Sequence, residues 1–300
     1  MTSTKRPLNG VLLFDKPLHL SSNTAMQKVR RLFRAEKAGH TGTLDPLATG
    51  LLPICFGEAT KFSAGMLDAD KRYRAHLKLG QTSSTGDAEG EITQTGGALP
   101  DEAQARAILS RFTGDIEQIP PMHSALKHQG KPLYEYIRKG ETIDRPPRRV
   151  TIHELTLENF SGDEMTLDVR CSKGTYIRTL AEDIGAALGC GAHLLALRRT
   201  ATADFKLDDA LTLEQLEAMS ETQRDACLLP ADSLLLELPM LELDDAQAKR
   251  MAQGQKLAVQ PDVPDGNVRL YHAGSFIGVA ELQEGRRLVP RRLMAGIPSP

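Results

Sequence analysis

Residues 39–54, GHTGTLDPLATGLLPI, set one carboxylate, Asp45, among three glycines, two prolines and a histidine with apolar neighbours. A lone carboxylate so placed can attack an electrophilic carbon or take up a proton. Either role requires it to stay ionised in a partly desolvated pocket, and therefore beside a cation. Pro46 disfavours the α region for the residue before it, so Asp45 is expected in an extended or turn conformation, projecting from a stiff backbone. The same two residues also read as the N-cap and first residue of a short helix. The readings coexist, because a rigid loop that orients a carboxylate also serves chemistry. His40, in GHTG, sits at the edge of this loop with few core contacts to satisfy; it reads equally as a surface turn histidine.

The elements that would carry this loop are legible on both sides of it. VLLF (11–14) reads as a short buried strand closed by the turn-forming DKP, and SSNTAMQKVRRLFRA as a serine-capped helix with Met26, Val29 and Phe33 at helical spacing. Arg30, Arg31, Arg34 and Lys37 close that helix, where a C-terminus favours cations without any ligand. From Tyr73 the chain alternates: Tyr73, Ala75, Leu77 and Leu79 face one way, Arg72, Arg74, His76 and Lys78 the other. By default Tyr73 is then a core aromatic. QTSSTGDAEGE reads as a loop or hairpin connection, DEAQARAILSRF as a short helix, and 121–150 as a long, basic segment punctuated by Pro and Gly. EMTLDVRCS alternates again and runs through KGT into a helix whose Ile177, Leu180, Ala181, Ile184 and Leu188 share a side, stopping at Gly189 and Gly191. An acidic stretch around 207–238 ends near Pro239. The composition then turns Gly-rich and β-prone, which places a domain boundary close to residue 240 and a small β-barrel-like appendage after it.

Length and composition bound the alternatives. Three hundred residues suit one large domain plus a small one, and 40% hydrophobic with 25% charged residues excludes collagen-like, coiled-coil and wholly disordered chains. No apolar run approaches the ~20 residues that span a bilayer, and MTSTKRPLNG is too polar to begin a secretory signal, so a cytoplasmic location and no membrane partner are expected. Cys55, Cys171, Cys190 and Cys227 lie far apart without a C-x-x-C pair, against a disulfide framework or a cysteine-based zinc site; Cys190 with His193 is at most half a metal site. The net charge of −2 hides opposed regions: +7 over residues 1–80, +4 over 121–150, −10 over 207–247 and +4 over 248–300. Separated basic segments suit a polyanion held by several patches, with solvated helix faces as the plainer account.

The run AGHTGTLDPLATGLLPICFGEATKFS resembles the catalytic motif of the TruB-type tRNA pseudouridine-55 synthases. VLLFDKP, DADKRYRAHLKLGQ, QIPPMHSALKHQGKPLYEYIRKG, CSKGTYIRTLAEDIG and GAHLLALRRTA match in the family's order over residues 9–202; the tail resembles the family's small C-terminal RNA-binding domain more weakly. The resemblance implies a mixed α/β (α+β) catalytic domain over 1–240, built on a largely antiparallel sheet, and a small PUA-like domain over 241–300. It implies a monomer that detaches one uridine base in the T loop of tRNA, turns it and rejoins it through carbon, with no cofactor and no metal. Asp45 would be the essential carboxylate, attacking covalently or abstracting a sugar proton, and Arg178 its partner cation, where the bare sequence reads an exposed helix arginine. Tyr73 would pack on the target base with its hydroxyl assisting proton transfer, Tyr176 and Leu197 would line the uracil pocket, and His40 would contact the RNA near the flipped base.

Unstacking a base costs a few kcal/mol, to be offset by stacking and phosphate contacts. Lys127, Lys131, Arg138, Lys139, Arg145, Arg148 and Arg149 would lie in a mobile flap over 121–150, and Arg286, Arg287, Arg291 and Arg292 would hold the more distant stem. Two departures from the family's pattern stand out: Leu18 and His19 follow DKP where a glycine-containing turn is usual, and His123 stands in PPMHSALK where a tyrosine is common. A reading of another class is a non-catalytic tRNA-folding protein using the same cleft.

Overall fold

The computed structural model describes residues 4–124, 126–284 and 286–295, the side chain of Tyr134 excepted. Strand β1 (Gly10–Lys16) leads into helix α1 (Ser22–Leu32), which Ser21 caps by accepting a hydrogen bond from the Thr24 amide. Strands β2 (Ala38–His40) and β3 (Ala48–Phe56) follow, then a short helix α2 (Ala64–Asp68) and the alternating strand β4 (Lys71–Leu79). The GDAEG stretch lies inside a hairpin of β5 (Gln81–Ser83) and β6 (Ile92–Gln94); helix α3 (Glu102–Leu109) and strand β7 (Gly114–Gln118) come next.

The basic segment has structure of its own. Strands β8 (Lys127–His128) and β9 (Lys131–Pro132) form a hairpin that turns at Gln129 and Gly130, whose φ of +48° and +82° suit a tight two-residue turn. Helix α4 (Leu133–Ile137) buries Leu133, and the Tyr136 hydroxyl donates to the His128 carbonyl.

Strands β10 (Arg148–Ser161) and β11 (Glu164–Cys171), helix α5 (Ile177–Leu188), β12 (Ala192–Thr202) and β13 (Phe205–Lys206) complete a nine-stranded sheet. Its order is β1-β3-β12-β4-β11-β10-β7, with β2 on β3 and β13 on β12, and β12–β3 is its one parallel pairing among the described residues. β4 and β11 alternate buried and partly exposed residues as half-buried strands do. β1 and β3 are apolar almost throughout because they are covered twice. Leu12, Phe14, Leu52, Ile54 and Phe56 face α1, while Val11, Leu13, Leu51 and Cys55 face a second cluster with Phe62, Leu234 and Val279.

Helix α6 (Leu213–Ala218) is followed by α7 (Glu221–Ala226), which carries part of the acidic excess back onto the N-terminal basic region. Asp225 accepts two hydrogen bonds from Arg6 at 2.7 and 2.8 Å, and Glu221 pairs with Arg34, so the opposed segments partly neutralise each other inside the protein. The remaining chain adds β14 (Met240–Leu243), α8 (Asp245–Ala252), β15 (Leu257–Ala258), β16 (Gly266–His272), β17 (Ser275–Gln283) and β18 (Arg287–Leu293). They form a five-stranded sheet with its own core of Met251, Val268, Leu270, Ile277 and Leu288. Val279 and Phe276 of β17 reach into the second cluster, with the Phe276 ring 5.2 Å from Phe62, and so join the two sheets. Among the described residues no helix is long and apolar enough to cross a membrane.

The unusual turn after β1 has a physical reading. His19 takes φ +65° and donates its amide to the Pro46 carbonyl at 2.9 Å, so a side chain occupies the left-handed conformation that glycine adopts without strain. His19→Gly is expected to raise the unfolding free energy by about 0.5–1 kcal/mol, read by urea denaturation; a lower midpoint would show that the imidazole contributes more than the backbone strain removes.

Candidate active site

Asp45 sits in the loop between β2 and β3, and that loop is held from three sides. Ser22, buried in the first turn of α1, donates its hydroxyl to the Leu44 carbonyl at 2.9 Å and accepts from the Leu44 amide at 2.7 Å, fixing the residue before the carboxylate. His19 binds the carbonyl of Pro46 on the other side. Within the loop the Ala48 amide donates to the Asp45 carbonyl at 3.0 Å: Asp45-Pro46-Leu47-Ala48 is a turn that enters β3 directly. The short helix of the capping reading does not form.

The cation beside it comes from α5. Arg178 Nη2 lies 2.9 Å from Asp45 Oδ2, and Arg178 Nη1 lies 3.4 Å from Asp87 Oδ2. The guanidinium side chain is 7% exposed and that of Asp87 4%, whereas that of Asp45 keeps 42%: two buried groups hold a carboxylate that still faces the cleft. Arg178 also donates to the carbonyls of Thr85 (3.1 Å) and His123 (2.7 Å). The His123 departure therefore leaves this contact intact, since it uses the backbone. Asp87 is fixed by the Thr85 hydroxyl (2.6 Å) and the Glu89 amide (3.1 Å), both donating to its Oδ1. Gln118 clamps the peptide at the head of α5, accepting from the Tyr176 amide at 3.0 Å and donating to the Tyr176 carbonyl at 3.2 Å.

Desolvation pushes the Asp45 carboxyl above its ordinary range; Arg178 pulls it down, Asp87 pushes it up, and Lys16 pulls it down. Lys16 is fully buried, donates to the carbonyls of Pro17 (2.9 Å) and Leu20 (2.6 Å), and is lowered to about 8, chiefly by burial. Burial likewise raises Tyr73, against Arg199, so its hydroxyl keeps its proton at neutral pH. His40, at the end of β2, is lowered first by burial and then by Arg199.

Two hollows meet at Asp45, Thr43 and Arg178. The wider, about 630 Å³, is bordered by Ser21, Asn23, His40, Asp87, His123 and Arg138; the smaller, about 260 Å³, by Tyr73, Tyr176, Leu197, Lys71 and Arg199. The fold thus brings Asp45, Arg178, Tyr73, Tyr176 and Leu197 to one cavity and sets His40 in its neighbour. Lys127, Lys131, Arg148, Arg149 and Arg291 border neither. Lys127 and Lys131 are exposed on the β8–β9 hairpin, Arg148 and Arg149 are exposed at the head of β10, and Arg291 lies in the second sheet, paired with Glu281. Asp87, Gln118, Ser22 and Arg199 were not singled out from sequence. Only Arg199 had a usable signal: two residues after Leu197 in a strand, it must share that residue's face.

An Asp45 carboxyl pushed up by burial should titrate in carbon-13 NMR with a midpoint above the ordinary 3.8, assigned by its loss in Asp45→Asn. Arg178→Gln removes the main opposing cation and should move that midpoint further up; a downward or absent response would contradict the pairing.

Residues 30–177 match the TruB family pseudouridylate synthase N-terminal domain, 178–236 the tRNA pseudouridylate synthase B C-terminal domain, and 239–294 the pseudouridine synthase II TruB C-terminal domain. The chain is 54% identical to the tRNA pseudouridine synthase B of Cupriavidus metallidurans, over 97% of this chain and 95% of that one. It is 55% identical to that of Thiobacillus denitrificans over 99% of both. In structure it is similar to a chain of a Cbf5-Nop10-Gar1 complex, with a TM-score of 0.73, 25% identity, and coverage of 95% of this chain and 84% of the other. A chain of the archaeal box H/ACA sRNP Nop10-Cbf5 complex shares the fold at a TM-score of 0.73 and 24% identity, over 98% and 89% of the two chains. With its sequence matched almost end to end and its sheet shared with these structures, the chain belongs to the TruB family of pseudouridylate synthases.

Proposed function

We propose that this protein isomerises uridine to pseudouridine in tRNA, and that its target is uridine 55 in the T loop. The observation that carries the reading is the Asp45–Arg178 pair at the junction of the two hollows: a carboxylate, backed by a buried guanidinium, at the mouth of a cavity walled by two tyrosines and a leucine. In this account the extruded base enters the smaller hollow between Tyr73, Tyr176 and Leu197, and its sugar and neighbouring phosphates lie in the wider one beside His40. Asp45 then meets the sugar carbon or its adjacent proton, and both routes start from the ionised carboxylate. Tyr73 takes part as a hydroxyl, able to donate and accept, because burial keeps it protonated.

Residues 1–240 would carry the chemistry as a monomeric, cytoplasmic enzyme. Lys127, Lys131, Arg148 and Arg149, together with Arg291 in the small 241–300 domain, would hold phosphates of the T stem-loop, offsetting the few kcal/mol of unstacking.

Asp45→Asn should lower single-turnover pseudouridine formation on an unmodified tRNA transcript by at least ~1000-fold, the scale of losing a reacting group, with tRNA affinity within about threefold; undiminished conversion would refute the role of Asp45. Affinity for tRNA should fall steeply with ionic strength, and replacing Lys127 and Lys131 together by Ala should flatten the log–log salt slope by about 2. An unchanged slope would remove the hairpin from the RNA contact.

A further inference from the structure

Arg199 is 1% exposed, among the largest fully buried side chains of the protein, and among the described residues it makes no ion pair within 4 Å. Its Nε donates to the Leu51 carbonyl at 2.7 Å and its Nη2 to the Gly42 carbonyl at 3.3 Å. Carbonyl dipoles satisfy donors without cancelling the charge, and an uncompensated buried cation is costly. The surrounding backbone comes close to it: a Cβ on Gly42 would lie 3.6 Å from Arg199 Nη1. Gly50, opposite Arg199 in the β3–β12 pairing, has φ +100°, and a Cβ there would lie 2.3 Å from the Arg199 carbonyl oxygen, so the two backbones approach closely where Arg199 leaves the strand. On its other side Arg199 is the register partner of Tyr73 across β12 and β4, and it borders the hollow shared by Asp45, Tyr73, Tyr176 and Leu197. Its charge is felt in both hollows: after burial, it is the next cause lowering Lys71 in the smaller one and His40 in the wider.

A cation kept unpaired at this position matches a charge that exists only during the reaction. When the bond between N1 of the base and the sugar breaks with its electron pair passing to the ring, the detached pyrimidine carries one negative charge spread over N1 and its carbonyl oxygens. After the base turns, C5 bonds to the sugar carbon, the C5 proton leaves and N1 gains one, so product and substrate are isomers and no co-reactant is required. We propose that Arg199 is the buried counter-charge of the smaller hollow, stabilising the base while it is detached and anionic. This rests on the pseudouridine reading and assigns a residue to a part of the reaction that Asp45 and Arg178 do not serve.

The test is single-turnover pseudouridine formation and tRNA affinity for the native chain, Arg199→Gln and Arg199→Lys, each checked for folding by circular dichroism and melting. Loss of a fixed electrostatic partner should slow Arg199→Gln by about 100-fold with Kd for tRNA within about threefold, while Arg199→Lys, which keeps the charge but not the fork, stays within about tenfold of native. An Arg199→Gln enzyme within tenfold of native overturns the proposal, as does Arg199→Lys slowed as far as Arg199→Gln, which would make Arg199 a clamp on Gly42 and Leu51. Should Arg199→Gln not fold, Arg199→Lys decides alone: near-native rate supports the counter-charge, and a 100-fold loss in a folded protein refutes it. A native chain that forms no pseudouridine overturns the functional reading itself, a result distinct from any difference between variants.

Discussion

A guanidinium withdrawn from water must be compensated wherever it is placed, and Arg178 is compensated by two carboxylates and two carbonyls drawn from separate parts of the chain. Removing one partner of such a buried set typically costs ~3–5 kcal/mol, because the charge left behind has nowhere to go. The arrangement therefore fixes the relative positions of the Asp45 loop, the β5–β6 hairpin carrying Asp87, the His123 segment and the head of α5. It also leaves Asp45 half-open to the cleft while the other two charges are sealed behind it. Burial and Asp87 raise its proton affinity, and Arg178 and Lys16 lower it, so the carboxylate is held in a balance that an entering base would shift.

The remainder of the molecule makes this balance rigid. Ser22 and Gln118 each use one side chain to bind both the donor and the acceptor of a backbone position, Leu44 on one side of the ion pair and Tyr176 on the other. β3 lies between two apolar layers, so the loop it supports is anchored by burial on both faces of the sheet. Charge is distributed with the same economy. Acidic helix α7 neutralises Arg6 and Arg34 at the N-terminal side, while Lys127, Lys131, Arg148 and Arg149 remain exposed.

How far this could be read in advance depended on the range of the interaction. Strand β4 was legible because period-2 alternation is a local property, and Asp45 because Pro46 restricts its own backbone. Asp87 was not, since GDAEG reads as an ordinary turn until Arg178, some ninety residues on in the chain, packs against it from α5. Gln118 was hidden for the same reason: its function is a pair of hydrogen bonds to Tyr176, and nothing in QIPP predicts them. The basic excess near the N-terminus was visible as composition, but the share of it neutralised by Glu221 and Asp225 was a tertiary fact. The family resemblance supplied Arg178 and Tyr176, which the bare pattern left as an exposed arginine and an interior tyrosine.

The most direct test of the central claim is a crystal structure of this protein with an RNA copy of the T stem-loop. There the target base should lie out of its stack between Tyr73, Tyr176 and Leu197, with the sugar carbon that bears it within about 3–3.5 Å of an Asp45 carboxylate oxygen and the Arg178 pair intact. A base still stacked in the loop, or one bound with Asp45 turned away to solvent and parted from Arg178, would contradict the claim.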